Sequence, residues 1–171
     1  MNSIPPRLLD LIRTRLVIAA LACALPIAPD LGASELAWDP RMSHDVDAKV
    51  TDDVISIRTT GHDPYLMWRL QSSPQPSERV LEFEYFSPTG AQSMHGYLGP
   101  PITEGSRFEM PDLSIAQGWQ SYRLDLIDAK QGELPATTRL LRIDLGMKPD
   151  RSVQIRKVRL RPRTDEERRQ A

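Results

Sequence analysis

Two short stretches place aromatic rings beside polar groups. His62, Asp63, Tyr65 and Trp68 surround the turn into one apolar segment, and His95 with Tyr97 precedes a Gly-Pro-Pro loop at 99–101. Rings next to hydrogen-bonding side chains suit a ligand that has one apolar face and a rim of hydroxyls. Leu66, Trp68 and Leu70 share one strand face and Tyr65 and Met67 the other, so Tyr65 and Trp68 cannot point the same way on a regular strand. Trp68 is therefore a candidate for the core as well as for the ligand. His95 and Tyr97, two apart, fall on one face, and a surface pair without a ligand is the alternative reading.

Other chemistry finds less support. His44-Asp45 and His62-Asp63 are adjacent pairs whose members point to opposite faces of a strand, and no H-x-H or H-x-x-x-H spacing occurs, so no transition-metal site is expected. Glu82 and Glu84 are paired carboxylates, yet alternating acids on the solvent side ordinarily keep a sheet soluble. The nucleophile-elbow, zinc-protease and phosphate-loop motifs are absent. No catalytic residue is assigned. Arg156, Lys157, Arg159, Arg161 and Arg163 form a basic stripe, read as a solvent face paired with acids such as Glu82 and Glu84 rather than as a dock for an acidic polymer.

The elements that position these residues are short and alternating. Val80 to Phe86 (VLEFEYF), residues 122–126 (YRLDL) and residues 141–145 (LRIDL) each put apolar residues on one face and charges on the other, the signal of a half-buried strand. Further strands are expected at Glu35 to Trp38, Asp45 to Val50, Val54 to Thr59, Tyr65 to Leu70, Ser93 to Leu98 and Ser152 to Arg161. In the last, the apolar parity shifts from Val153 and Ile155 to Val158 and Leu160, and a β-bulge at Arg156-Lys157 would restore one buried face. Turn chemistry such as Asp39-Pro40, Gly61-His62-Asp63-Pro64 and Pro88-Thr89-Gly90 separates the segments. An all-β antiparallel sandwich or barrel follows, with Trp119 and Tyr122 placed in its core.

As a set these segments resemble the β-sandwich jelly rolls of bacterial exported carbohydrate-active proteins, the galactose-binding-like or carbohydrate-binding modules. The residues that carry the likeness are Thr59 to Tyr65 (TTGHDPY), Val80 to Tyr85, Gly118 to Leu126 (GWQSYRLDL), Leu141 to Asp144 and Val153 to Leu160. The resemblance implies a non-catalytic module that binds a glycan or polysaccharide, with His62, Asp63, Tyr65, Trp68, His95 and Tyr97 as its contacts and a separate glycan-active enzyme as a partner. It also implies a structural calcium that could use Asp125 or Asp144. A structural or protein-interaction module of the cell envelope, and a glycan-active enzyme, are the alternatives from other classes.

The two ends are of another kind. Arg7, Arg13 and Arg15 precede the uncharged run Leu16 to Pro29, a basic region followed by an apolar one, as in a signal peptide of residues 1–33. That run is shorter than the roughly 20 residues a bilayer requires, so no transmembrane helix is expected. Secretion or a periplasmic location follows, and lipid attachment at Cys23 is the alternative. Cys23 is the only cysteine, so residues 34–162, the sandwich, would have to stand on apolar packing without disulfides. The chain's 22 basic and 23 acidic residues give no global attraction to nucleic acid. Residues 163–171 read as a polar tail in which Thr164 and Glu167 have capping-box spacing.

Overall fold

Apolar-charged alternation at period two makes each segment one-sided, and two such sheets bury their apolar sides only against each other. The computed structural model describes residues 33–171, so the expected signal peptide and Cys23 lie outside the described residues. One sheet has the order β2(Val46–Thr51), β3(Val54–Thr59), β10(Ser152–Arg161), β5(Val80–Phe86), β8(Gln120–Asp125). The other runs β1(Ser34–Trp38), β4(Tyr65–Leu70), β9(Leu140–Asp144), β6(His95–Gly99), β7(Arg107–Glu109). All pairs are antiparallel, and β1 joins the sheets: Ser34 and Glu35 pair with β10, Leu36 to Trp38 with β4. Among the described residues no helix is long and apolar enough to cross a membrane.

Between the sheets lies one core. Leu66, Trp68, Leu141 and Ile143 from one side meet Phe83, Tyr122, Ile155 and Leu160 from the other. The interior is tight enough to select a glycine: a Cβ on Gly96 would come within 2.0 Å of the Phe108 ring. The bulge expected in β10 is present. Its register against β5 shifts between Arg156 and Arg159, and Lys157 takes up the extra residue with φ of 55°, which returns Val158 and Leu160 to the buried face.

The polar C-terminal residues form a helix that is tied to the sandwich. Thr164 and Glu167 form the capping box at the start of α2(Asp165–Gln170), and ion pairs fasten that helix to the sandwich. Arg161, 5% exposed, donates to Glu167 Oε2 and Oε1 at 2.7 and 2.8 Å and also to Glu82. Arg163 donates to Asp125 Oδ2 at 2.7 Å and also to Asp128. These partners come from β5, β8 and the short α1(Leu126–Lys130), strand neighbours that local spacing does not show.

The pairing makes the latch acid-sensitive. Arg161 holds the Glu167 carboxyl down at about 2, against burial that works the other way. A carboxyl depressed in the folded state contributes stability above the ordinary glutamate value near 4.5 and loses it as pH falls towards 2. Protection of the Arg168 amide, which donates to Thr164 O at 2.9 Å, is expected to drop over that window while β5 amides hold. Equal protection of α2 at pH 2.5 and pH 6 would contradict the latch.

Candidate functional site

On the outer face of the second sheet, antiparallel register sets residues of four strands in rows. Tyr65 stands opposite Asp144, Asp144 opposite His95, and His95 opposite Glu109. One step along, Met67, Arg142, Tyr97 and Arg107 form the next row. His44 bridges to Tyr65 from the far side. The period of two that points Leu66, Leu141 and Leu98 into the core points all of these outward.

Arg142 is the hub of the cluster. Its guanidinium lies 3.8 Å from the Tyr65 ring centroid and 5.0 Å from that of Tyr97, distances at which a cation is held by ring faces. Nε donates to Asp144 Oδ1 at 2.5 Å, and Nη2 to Asp144 Oδ2 and Asp63 Oδ1, each at 3.0 Å. The forked geometry matches a carboxylate in a way a lysine could not. Burial works against the Arg142 charge, but the hydrogen bond and charge of Asp144, with Asp63, outweigh it and raise its pKa. Asp144, 9% exposed, is raised by burial; Arg142 offsets part of that, and the like charge of Asp63 adds to it.

Around this hub the aromatic and polar groups vary in access. Tyr65 is half-buried, with the His44 ring 5.6 Å away and tilted by 31°. Tyr97 is 9% exposed; burial raises its hydroxyl pKa, and the hydroxyl donates to Glu104 Oε1 at 3.5 Å. His95 Nε2 sits 3.3 Å from Glu109 Oε2, and Arg107 bridges Glu104 and Glu109. The result is a polar surface with aromatic rings edged into it, able to hydrogen-bond in both directions.

Of the residues expected from sequence, Asp63, Tyr65, His95 and Tyr97 converge here. His62 does not join them; its Nδ1 lies 3.5 Å from the Met147 carbonyl. Trp68 turns the opposite way, 2% exposed between the sheets, because an offset of three from Tyr65 puts it on the other face. The same parity corrects Trp119: Tyr122 is buried, while Trp119 is 36% exposed and stacks its ring 4.0 Å from the Arg156 guanidinium. Arg142 and His44 are the members of this candidate cluster that local spacing does not reveal. Arg142 occupied a polar strand position like any other, and only cross-strand register set it between the two tyrosines.

The remaining chemistry is spoken for by ion pairs. Glu84 accepts from Arg156 at 2.6 Å and Lys157 at 2.9 Å, and Glu82 pairs with Arg159, Arg161 and Arg123, so neither is held as a general acid. The expected calcium ligands do not fit a cation. Asp125 already accepts from the Ile127 and Asp128 amides and from Arg79 and Arg163, and Asp144 from Arg142. Among the described residues no three His, Cys, Asp or Glu side chains are grouped to hold a metal ion.

No protein-family model matches the chain, and no curated protein matches its sequence. Solved structures do match in fold. A family 29 carbohydrate-binding module from Piromyces equi superposes with a TM-score of 0.53 at 8% identity, covering 77% of this chain and 83% of that one. A lysine-to-alanine variant of a family 29 module complexed with cellulohexaose gives 0.55 at 11% identity, over 76% and 92% of the two chains. An aspartate-to-alanine variant complexed with mannohexaose gives 0.52 at 10%, over 72% and 79%. The chain thus has the β-sandwich fold of carbohydrate-binding modules.

Proposed function

We propose that the protein is an exported, non-catalytic carbohydrate-binding module whose glycan lies across β4, β9 and β6 on the outer face of the second sheet. The observation that carries this reading is the Tyr65-Arg142-Tyr97 stack, set among Asp63, His95 and Arg107. Aromatic rings meet the apolar side of a sugar with their faces, and the carboxylates, imidazole and guanidinium meet its hydroxyls. The fold likeness to modules solved with cellulohexaose and mannohexaose supports a polysaccharide as the ligand class. Acids clamped onto arginines supply binding groups rather than a proton donor, which agrees with a role that performs no hydrolysis.

Titration of the purified protein with cellohexaose and mannohexaose, followed by an array of neutral and acidic glycans, tests the proposal. Tyr65→Ala is expected to weaken binding by roughly tenfold, about the effect of losing one stacked ring, with a modest drop in melting temperature because the half-buried Tyr65 ring also covers the Arg142 guanidinium. Absence of binding to every glycan presented would sink the reading. Binding that survives Tyr65→Ala and His95→Ala unchanged would move the site elsewhere.

A further inference from the structure

Glu78 is a buried acid without a cation. It lies in the loop from β4 to β5 and is 3% exposed. Its carboxylate accepts from Ser34 Oγ through Oε1 at 2.8 Å and from the Gln75 amide through Oε2 at 2.6 Å. Neither donor carries a charge. Glutamates are almost never buried to this extent unless paired, because neutral hydrogen bonds offset only part of what a carboxylate loses on leaving water. Asp144, the other buried acid, has Arg142. Among the described residues Glu78 makes no ion pair: the guanidinium of the adjacent Arg79 is engaged by Asp125 and Asp128, and that of Arg161, whose carbonyl accepts the Arg79 amide, by Glu82 and Glu167.

The residue that Glu78 holds is the first of β1. Ser34 pairs with Leu160 of β10, and from Leu36 onward the strand pairs with β4, so this end of β1 is where the two sheets join. The Ser34 nitrogen is three bonds from the hydroxyl oxygen that donates to Glu78. Within a longer chain that nitrogen is a neutral amide; as a chain terminus it carries a positive charge near neutral pH. Ala33, just before it, is the small residue that a signal peptidase needs ahead of its cut.

We propose that a signal peptidase cuts between Ala33 and Ser34, and that Glu78 is the built-in counterion of the α-ammonium group so released. Hydrolysis breaks the bond from the Ala33 carbonyl carbon to the Ser34 nitrogen. Water gives its hydroxyl to the carbon and a proton to the nitrogen, and the proton of the new carboxyl passes to the amine. Maturation thereby sets a cation beside the buried carboxylate and fastens the strand that joins the sheets. The pair depends on the export proposed above and shares no residue with the Tyr65-Arg142-Tyr97 cluster.

The test expresses the full chain with its own leader in a bacterial host, recovers the exported protein and measures its intact mass, which is expected to equal residues 34–171. Its α-amine is then acylated with an N-hydroxysuccinimide ester near neutral pH, with peptide mapping to separate it from the lysines. Ser34 is expected to react roughly tenfold more slowly in the parent than in Glu78→Gln, the effect of an adjacent opposite charge on the fraction of free amine. Glu78→Asp, which keeps the charge at shorter reach, should fall between them and serves alone if the glutamine variant does not fold. Glu78→Gln is also expected to lower the urea midpoint of the exported protein but not that of the uncut chain made without export, since only the former has a cation to lose. A chain that keeps residues 1–33 would overturn the export reading and the pair together. An N-terminus at any other residue, a lipidated Cys23 included, would overturn the pair alone, as would labelling rates indifferent to residue 78 or equal midpoint losses in cut and uncut chains.

Discussion

Replacing Arg142 by alanine is expected to destabilise the protein by about 3–5 kcal/mol at neutral pH, the range for a buried pair that loses one partner. Asp144 is the reason. It is 9% exposed, burial already pushes its carboxyl pKa up, and without Arg142 it loses its hydrogen-bonded counterion and keeps only the weaker attraction of His95. Asp63 also loses a contact, but its side chain is 63% exposed and water replaces the partner at little cost. Tyr65 and Tyr97 lose the cation that separates them, so the glycan binding proposed for this face should weaken along with stability.

The pH dependence identifies the cause. A carboxyl whose folded pKa lies above its unfolded value binds more protons in the native state, so native stability rises as pH falls through that interval. In Arg142→Ala the Asp144 carboxyl is raised further. The gap between variant and parent, measured by urea denaturation, should therefore be widest near pH 7 and shrink towards pH 4. Adding Asp144→Asn to Arg142→Ala should recover part of the loss at pH 7. A deficit independent of pH would trace the effect to the lost stacking on Tyr65 instead of the stranded carboxylate.

Which parts of this were legible from sequence follows from what a strand encodes locally. Alternation in VLEFEYF and LRIDL was enough to place β5 and β9 and their buried faces, and the parity shift across Arg156-Lys157 marked the bulge. Three-residue β7 is too short to show a period, and α1 is one turn that depends on the Asp125 side chain accepting the Ile127 and Asp128 amides. Burial also settles what the type of residue left open: of the two readings of Trp68 the core one holds, while Trp119, expected in the core, lies outside. The site lay further from view. Tyr65, Arg142 and Tyr97 are separated along the chain and meet only through the order β4-β9-β6, a property of sheet register that local spacing does not carry.

That separation between a face and the core behind it can be tested at Phe83. Phe83→Ala is expected to lower stability by about 3–5 kcal/mol, the range for a buried ring truncated to a methyl. Phe83 is 1% exposed and stacks on Tyr122 with centroids 4.4 Å apart and planes within 12°, while Tyr85 meets both rings edge-on. Tyr122 in turn donates its hydroxyl to the Pro111 carbonyl at 3.0 Å, so the loss reaches the loop before β8. A domain of this size has only about 5–15 kcal/mol in total, and the urea midpoint should drop accordingly. Yet Phe83 belongs to the first sheet and the Tyr65-Arg142-Tyr97 cluster to the outer face of the second, held by its own ladder. In conditions where the variant remains folded, its affinity for cellohexaose should match the parent within about twofold, since mutations without shared partners act nearly independently. An unchanged midpoint would deny Phe83 its place in the core, and a large loss of affinity in the folded variant would show that the outer face takes its shape from packing between the sheets as well as from its own register.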